Sequence, residues 1–229
     1  MNLFRLIRRF FYRMKLSKII NNNILLVDKT KGLSSFNVIR ILRMKSGIRK
    51  MGHAGTLDPA ASGLLIIGVE KVGTKKMTEF LQLPKTYKME ILLGKKTDTG
   101  DLDGRVIEEK KFNGIKKEKA LEVLKSLEGE VDLTVPIYSA LKLNGKRFYH
   151  YAREGKKIDL PKRKTKINSL KLLDINKNII KVEMDCGHGT YARSVGEEIG
   201  KRLGYPATLQ NLRRTKIGEF SVENAMKIS

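Results

Sequence analysis

Two kinds of hydrophobic pattern predict the strands of this chain. Between Thr86 and Leu93, apolar and polar residues alternate, which is typical of a strand with one buried face. The uninterrupted apolar run from Leu64 to Ile67 instead predicts a strand buried in the core. Further strands are predicted near residues 24–28, 105–111, 166–174, 179–185 and 212–220. We expect residues 105–111 to pair with residues 86–93 in antiparallel fashion across the loop between them.

Apolar residues spaced three or four apart predict helices between these strands. The first helix begins at Ser34 or Ser35, because either side chain can cap its free backbone N–H groups. The others are predicted at residues 74–83, 116–127 and 194–203. Predicted inward-facing residues are Val38, Ile41 and Leu42 in the first helix and Leu121, Leu124 and Leu127 in the third. Strands that pair mostly with sequence neighbours and alternate with helices indicate an α+β fold with a mixed sheet.

The first 23 residues differ from the rest of the chain. They contain six basic residues and no acidic one, and their apolar residues recur at helical spacing. This pattern predicts a basic amphipathic helix, which suits an RNA-binding arm, a membrane-surface helix, an organellar targeting segment or translation from an upstream start codon. The folded domain is predicted to occupy residues 24–229.

Composition and charge narrow the function. A chain of 229 residues can bury a sizeable core, and no apolar run approaches the roughly 18 residues of a membrane-spanning helix. The net charge of +23 indicates a polyanionic partner, either nucleic acid or an acidic membrane surface. A single cysteine excludes an internal disulfide and suits a reducing compartment. With three histidines and no pair of cysteines, no structural zinc site is expected.

The segment from Gly52 to Gly63, GHAGTLDPAASG, is the best candidate for chemistry. Pro59 has a fixed φ and disfavours a helical Asp58, while the glycines permit tight turns. The segment therefore predicts a shaped loop that presents Asp58 and His53 directly before a core strand. A plain turn with a solvated aspartate explains the same local pattern.

A wider resemblance favours the chemical interpretation. GHAGTLDPAASGLL resembles the G-H-x-G-T-L-D-P-x-A-x-G-x-L signature of the TruB family of tRNA pseudouridine synthases. The family's catalytic aspartate then falls on Asp58 and its base-flipping histidine on His53. Lys85-Thr86-Tyr87 is similar to its K-x-Y motif, which makes Tyr87 the tyrosine that stacks on the base, although a core tyrosine fits the alternating strand as well.

Three other segments extend the resemblance over about residues 24–227. Gly189-Thr190-Tyr191-Ala192-Arg193 resembles G-T-Y-I-R, which implies that Tyr191 lines the base pocket and Arg193 pairs with Asp58. In an extended conformation Tyr191 and Arg193 would point the same way. Leu212-Arg213-Arg214 is similar to the family's L-R-R end, where the leucine contacts substrate. Lys29 matches the lysine of K-P-x-G, but Thr30 replaces the proline, so a looser turn is expected.

A basic flap is predicted at about residues 135–163. It begins with a match to the family's P-x-x-S-A-L-K, and from residue 142 onward it contains eight basic residues interleaved with aromatic ones. The aromatic residues are Phe148, Tyr149, His150 and Tyr151. Mixed basic and aromatic residues can bind phosphates and stack on bases.

The resemblance implies a pseudouridine synthase fold, with a central, mostly antiparallel sheet flanked by helices. It implies a cytoplasmic monomer that binds the T-arm of tRNA and converts uridine 55 to pseudouridine, without a cofactor, a metal or a membrane. A role in helping tRNA to fold can accompany this activity. The extra C-terminal RNA-binding domain of many relatives has no counterpart in these residues.

Two rival functions remain to be tested. Residues 68–75 nearly spell a nucleotide-binding P-loop, but Thr74 precedes Lys75 where the lysine should come first. A non-catalytic RNA-binding protein would also explain the charge. Such a protein has no need for the combination of Asp58, Tyr87, Tyr191 and Arg193.

Overall fold

The computed structural model describes residues 21–139, 141–143, 145–154 and 158–228. These residues form two compact units. The first unit runs up to Lys85 and resumes at Arg213, and the second consists of residues 86–212. The predicted N-terminal helix lies outside the described residues, whereas Asn22 and Asn23 adopt positive φ in a turn just before the first strand.

The first unit is a small mixed sheet with three helices. Its strands, in the order β14-β1-β3-β12, are joined by two short strands, with β2 beside β3 and β13 beside β12. The elements are β1 (Ile24–Lys29), α1 (Ser35–Ser46), β2 (Met51–Ala54), β3 (Ser62–Val69), α2 (Glu70–Lys75), α3 (Met77–Gln82), the end of β12 (Ala207–Ile217), β13 (Phe220–Ser221) and β14 (Met226–Lys227).

Strand β3 is the centre of this unit. Leu65 and Ile67 belong to one buried cluster with α1, and Leu64 and Ile66 belong to another with Met77. Because a strand alternates its side chains between two faces, β3 is buried on both, as the apolar run predicted. It pairs antiparallel with β1 and β2 and parallel with β12.

The second unit is built on a sheet in the order β4-β11-β10-β7, in which β10 pairs antiparallel with both β11 and β7. Its elements are β4 (Lys85–Leu93), β5 (Lys95–Thr97), β6 (Val106–Glu109), α4 (Lys117–Ser126), β7 (Gly129–Thr134), β8 (Lys142–Leu143), β9 (Lys146–Arg147), α5 (Phe148–Arg153), β10 (Lys162–Asn176), β11 (Ile179–Cys186), α6 (Ala192–Arg202) and the start of β12. The predicted buried face of β4 is confirmed, since Tyr87, Met89, Ile91 and Leu93 are all buried.

The α+β prediction with a mixed, mostly antiparallel sheet is confirmed. Several local predictions were wrong. Residues 106–109 pair with β5 in a separate hairpin rather than with β4, and they are fully on the surface. The helix expected over 74–83 is two short helices that meet at Lys76, and the last long strand begins at Ala207 rather than Leu212.

Two residues that were predicted to face the core, one on α4 and one on α1, are not fully buried. Leu121 is 47 % exposed on α4, although Leu124 and Leu127 are buried as expected. On α1, Ile39 is buried and Ile41 only partly so. Ser34 caps this helix as predicted, because its side chain accepts a hydrogen bond from the Asn37 N–H.

The P-loop alternative has no structural counterpart. Strand β3 passes directly into α2 at Glu70, so no loop separates them to wrap a phosphate. Gly73 is buried in that helix, against the backbone of Asn23. None of the described helices is long and apolar enough to cross a membrane.

Candidate active site

The loop between β2 and β3 carries Asp58 and is anchored by its own backbone. The Ala61 N–H donates to the Asp58 carbonyl at 3.0 Å, which closes a turn over Pro59. The Pro59 carbonyl accepts from the Gly32 N–H at 2.9 Å. Asp58 is half-buried between two fixed points of the loop.

Ser35, the first residue of α1, holds the residue before Asp58. Its Oγ accepts from the Leu57 N–H at 2.8 Å and donates to the Leu57 carbonyl at 3.0 Å. Both partners are buried, with Ser35 at 1 % exposure. A hydroxyl bonded to both backbone groups of one residue fixes its orientation, so the start of the helix positions the reactive loop.

Lys29 is completely buried at the end of β1 and is surrounded by carbonyl groups. Its Nζ donates to Thr30 at 3.0 Å, to Leu33 at 2.7 Å and to Ala61 at 2.6 Å. Burial lowers the pKa of Lys29 to about 8; the nearby Asp58 carboxylate opposes this and the Arg214 cation adds to it. Lys29 therefore donates a hydrogen bond to the loop that carries Asp58 and interacts electrostatically with the Asp58 carboxylate.

His53 on β2 has an unsatisfied ring nitrogen. Its Nδ1 is buried and has no hydrogen-bond partner among the described residues. Burial, and secondarily the Arg214 cation, lower the pKa of His53 below 6.5. The imidazole is consequently neutral at pH 7.

The glycines of the loop have steric roles. Gly63 has φ +108°, and a side chain there would collide with the backbone of Arg214 on the parallel strand β12. Gly55 has φ +79° and lies against the Arg214 guanidinium. Neither conformation suits a residue with a Cβ.

Arg193 in the second unit is buried, but its conformation differs from the prediction. It lies in the first turn of α6, directly after the extended Tyr191, so residues 191–193 are not one extended segment. Its Nη1 donates to the Thr99 carbonyl at 2.7 Å and its Nη2 to the Tyr138 carbonyl at 2.9 Å. The guanidinium therefore joins two loops of the second unit.

The other predicted site residues of the second unit are buried or half-buried in its strands and beside its last helix. Tyr87 is 8 % exposed on the buried face of β4, Tyr191 is half-buried beside α6, and Leu212 is half-buried in β12. In the predicted flap, Phe148 is 2 % exposed, so it is a packing residue and not a surface for stacking RNA bases. His150 in the same helix is exposed.

The structure assigns the predicted site residues to both units. Lys29, His53 and Asp58 lie in the first unit, and the first of these interacts electrostatically with the last. The second unit holds Tyr87, Tyr191, Arg193 and Leu212. Sequence reasoning missed Ser35 and the buried Arg214. Arg214 had appeared in the sequence only as the last residue of the L-R-R match, with no role assigned to it.

Comparisons with known proteins point to one family. The family model for TruB family pseudouridylate synthases (N-terminal domain) matches residues 42–192. The chain is 38% identical over 214 residues to the tRNA pseudouridine synthase B of Endomicrobium trichonymphae, covering 93% of each chain. It is 44% identical to the enzyme of the same name from Caldicellulosiruptor saccharolyticus, covering 90% of this chain and 71% of that one.

Solved structures show which known fold this chain resembles. A chain in the crystal structure of a Cbf5-Nop10-Gar1 complex aligns with a TM-score of 0.70 at 25% identity. The alignment covers 93% of this chain and 54% of that one, so the present chain spans about half the length of its structural neighbour. An H/ACA RNP bound to a substrate RNA aligns with a TM-score of 0.68 at 23% identity, which supports the fold alone. On the family model and the near full-length relatives, the chain belongs to the TruB family of pseudouridylate synthases.

Proposed function

We propose that this protein is a tRNA pseudouridine synthase that acts on uridine 55 in the T-loop. The observation that carries the proposal is the position of Asp58. It matches the family's reactive carboxylate, and its loop is held on both sides by buried side chains. The relatives named tRNA pseudouridine synthase B support the same substrate class.

The reaction is an isomerisation and needs no second substrate. The bond between N1 of uracil and C1′ of the ribose breaks, the base rotates, and C5 of the base bonds to C1′. The proton on C5 leaves, and N1 ends with a proton, so atoms and electrons balance. A carboxylate can act on the sugar, as in glycosidases, or on the base, and Asp58 is assigned to this role.

The neutral His53 supports base flipping. A uridine must leave the helical stack before its glycosidic bond can be reached. An imidazole with a buried, unpartnered Nδ1 can hydrogen-bond the extruded nucleotide or occupy the place it leaves. The remaining roles follow from the motif matches. We assign base stacking to Tyr87, the wall of the base pocket to Tyr191, orientation of Asp58 to Arg193 and substrate contact to Leu212.

The deciding experiment is to incubate the purified protein with an unmodified tRNA transcript and to map pseudouridine at every uridine. We expect modification at position 55 without a guide RNA. Modification elsewhere, or only with a guide RNA, would contradict the site assignment. RNA binding with no modification at any position would favour the non-catalytic RNA-binding or tRNA-folding role.

Asp58→Asn tests the reactive carboxylate directly. Turnover should be abolished while tRNA affinity stays within a few fold, because the asparagine amide has nearly the same size and shape as the carboxylate. Asp103→Asn, on an exposed turn of the second unit, is the matched control and should retain full activity. Turnover by an Asp58→Asn sample free of deamidated protein would refute the assignment.

A further inference from the structure

Arg214 is a buried cation with a defined set of acceptors. It lies on β12 at 1 % exposure, the largest of the fully buried side chains. A buried charge is retained only where hydrogen bonds compensate its lost hydration. Its Nε donates to the Leu64 carbonyl at 2.8 Å and its Nη2 to the Gly55 carbonyl at 3.0 Å.

These two acceptors bracket the reactive loop. Gly55 is the first residue after β2, and Leu64 is the third residue of β3, so Asp58 lies between them in the chain. The planar guanidinium therefore bridges the two ends of the loop across its base. The backbone of Arg214 also lies directly against Gly63 through the parallel pairing of β12 with β3.

The neighbouring Arg213 has a different function. Its Nη1 and Nη2 donate to the two carboxylate oxygens of Asp28 at 3.0 and 2.8 Å, and its side chain is 38% exposed. Two consecutive arginines in a strongly basic chain suggest phosphate contacts at first sight. At 1 % exposure, however, Arg214 cannot reach a phosphate, whereas it does reach the loop.

We propose that Arg214 is a positioning residue, whose guanidinium ties Gly55 to Leu64 and so holds Asp58 in its reactive orientation. This inference rests on the proposed function of Asp58. An arginine suits the position better than a lysine because its rigid fork can donate in two fixed directions at once. The guanidinium also keeps a positive charge close to His53, which favours the neutral imidazole.

The test compares Arg214→Lys and Arg214→Gln with the matched control Arg213→Lys. Steady-state turnover on tRNA should fall about 100-fold in Arg214→Lys, since a small misplacement of a reactive group has that effect. KM and tRNA affinity should stay within about twofold of the parent, because the substitution changes the orientation of Asp58 and not the surface that binds tRNA. Arg213→Lys should keep turnover within about threefold.

A second measurement does not depend on catalysis. Amide hydrogen exchange of peptides covering residues 52–64 should accelerate in both Arg214 variants and not in Arg213→Lys, while peptides from α1 stay protected. Hydrogen exchange separates the positioning role of Arg214 from the proposed function. It reports whether Arg214 holds the loop even if the parent makes no pseudouridine. Parent-like turnover in Arg214→Lys, or unchanged exchange in residues 52–64, would overturn the proposal. If the Arg214 variants exchange rapidly throughout the first unit, Arg214 is a general stability residue and the positioning role is also refuted.

Discussion

Replacement of Lys29 by methionine removes a buried cation and leaves its carbonyl partners without a donor. Methionine has a similar length and can fill the same space, so the main loss is three hydrogen bonds, to Thr30, Leu33 and Ala61. A buried acceptor without a partner costs about 1 kcal/mol at the low end of the usual range. Only the bond to the Ala61 carbonyl is fully buried, so we predict a loss of about 1–2 kcal/mol in the free energy of unfolding at pH 7.

The pH dependence of this loss is the sharper test. In the folded protein the pKa of Lys29 is about 8, against 10.5 in the unfolded chain. Between these values the unfolded chain binds more protons than the folded one, so the parent gains stability as the pH rises. From pH 8 to pH 10 this gain is about 2 kcal/mol, and Lys29→Met lacks it. The difference between parent and variant should therefore increase from pH 8 to pH 10.

Urea unfolding followed by circular dichroism at pH 7, 8, 9 and 10 measures this difference. Other groups that titrate in the same range cancel between parent and variant. Lys31→Met is the matched control, because Lys31 is exposed in the same segment and its loss should change stability by less than about 0.5 kcal/mol. A difference between parent and Lys29→Met that is flat or shrinks with rising pH would show that burial does not depress the Lys29 pKa.

The remaining predictions concern the site and its RNA. The C2–H resonance of His53 should titrate with a midpoint below 6.5 and move upward in Arg214→Gln; a midpoint above 6.5 in the parent would contradict a buried neutral ring. Arg193→Ala should lose both activity and melting temperature, because it leaves the Thr99 and Tyr138 carbonyls without their donor at about 1 kcal/mol or more each. Arg193→Lys should keep more stability than rate, and wild-type activity in Arg193→Ala would exclude it from the site. Gly63→Ala should lower the melting temperature and turnover together, because the added Cβ collides with backbone; a parent-like melting curve would disprove the close approach. Deletion of residues 1–20 should flatten the plot of log affinity against log salt by several units if they bind phosphates, and an unchanged slope would favour a targeting segment or a start-codon artefact.

The fold was predictable where burial leaves a pattern in the sequence. One buried face gives the alternation in β4, and two buried faces give the apolar run of β3. Strand β6 was assigned to the wrong partner strand because it lacks such a pattern. All four residues of β6 are exposed, so its sequence contains no burial pattern that could indicate which strand it joins.

The candidate site was predictable only in its chemical residues. The motif around Asp58 identifies the loop, but its supports come from residues 22 to 159 positions away. Ser35 and Arg214 bind carbonyl and amide groups, which every residue has, so the partner leaves no mark in the sequence. Lys29 was found through its motif position, yet its three carbonyl partners and its lowered pKa are consequences of folding alone.

The reach of Arg214 along the chain has a consequence for protein synthesis. The tie to Gly55 joins residues 159 positions apart, so the strand that carries Arg214 is translated long after the loop. At about 5–20 residues per second, the loop sequence precedes its anchor by about 8–30 s. A nascent chain therefore contains every residue of the signature well before the loop can be locked. Ribosome-bound intermediates that stop short of residue 214 should hold the Asp58 loop in an inactive state, and activity should appear only after β12 has paired with β3.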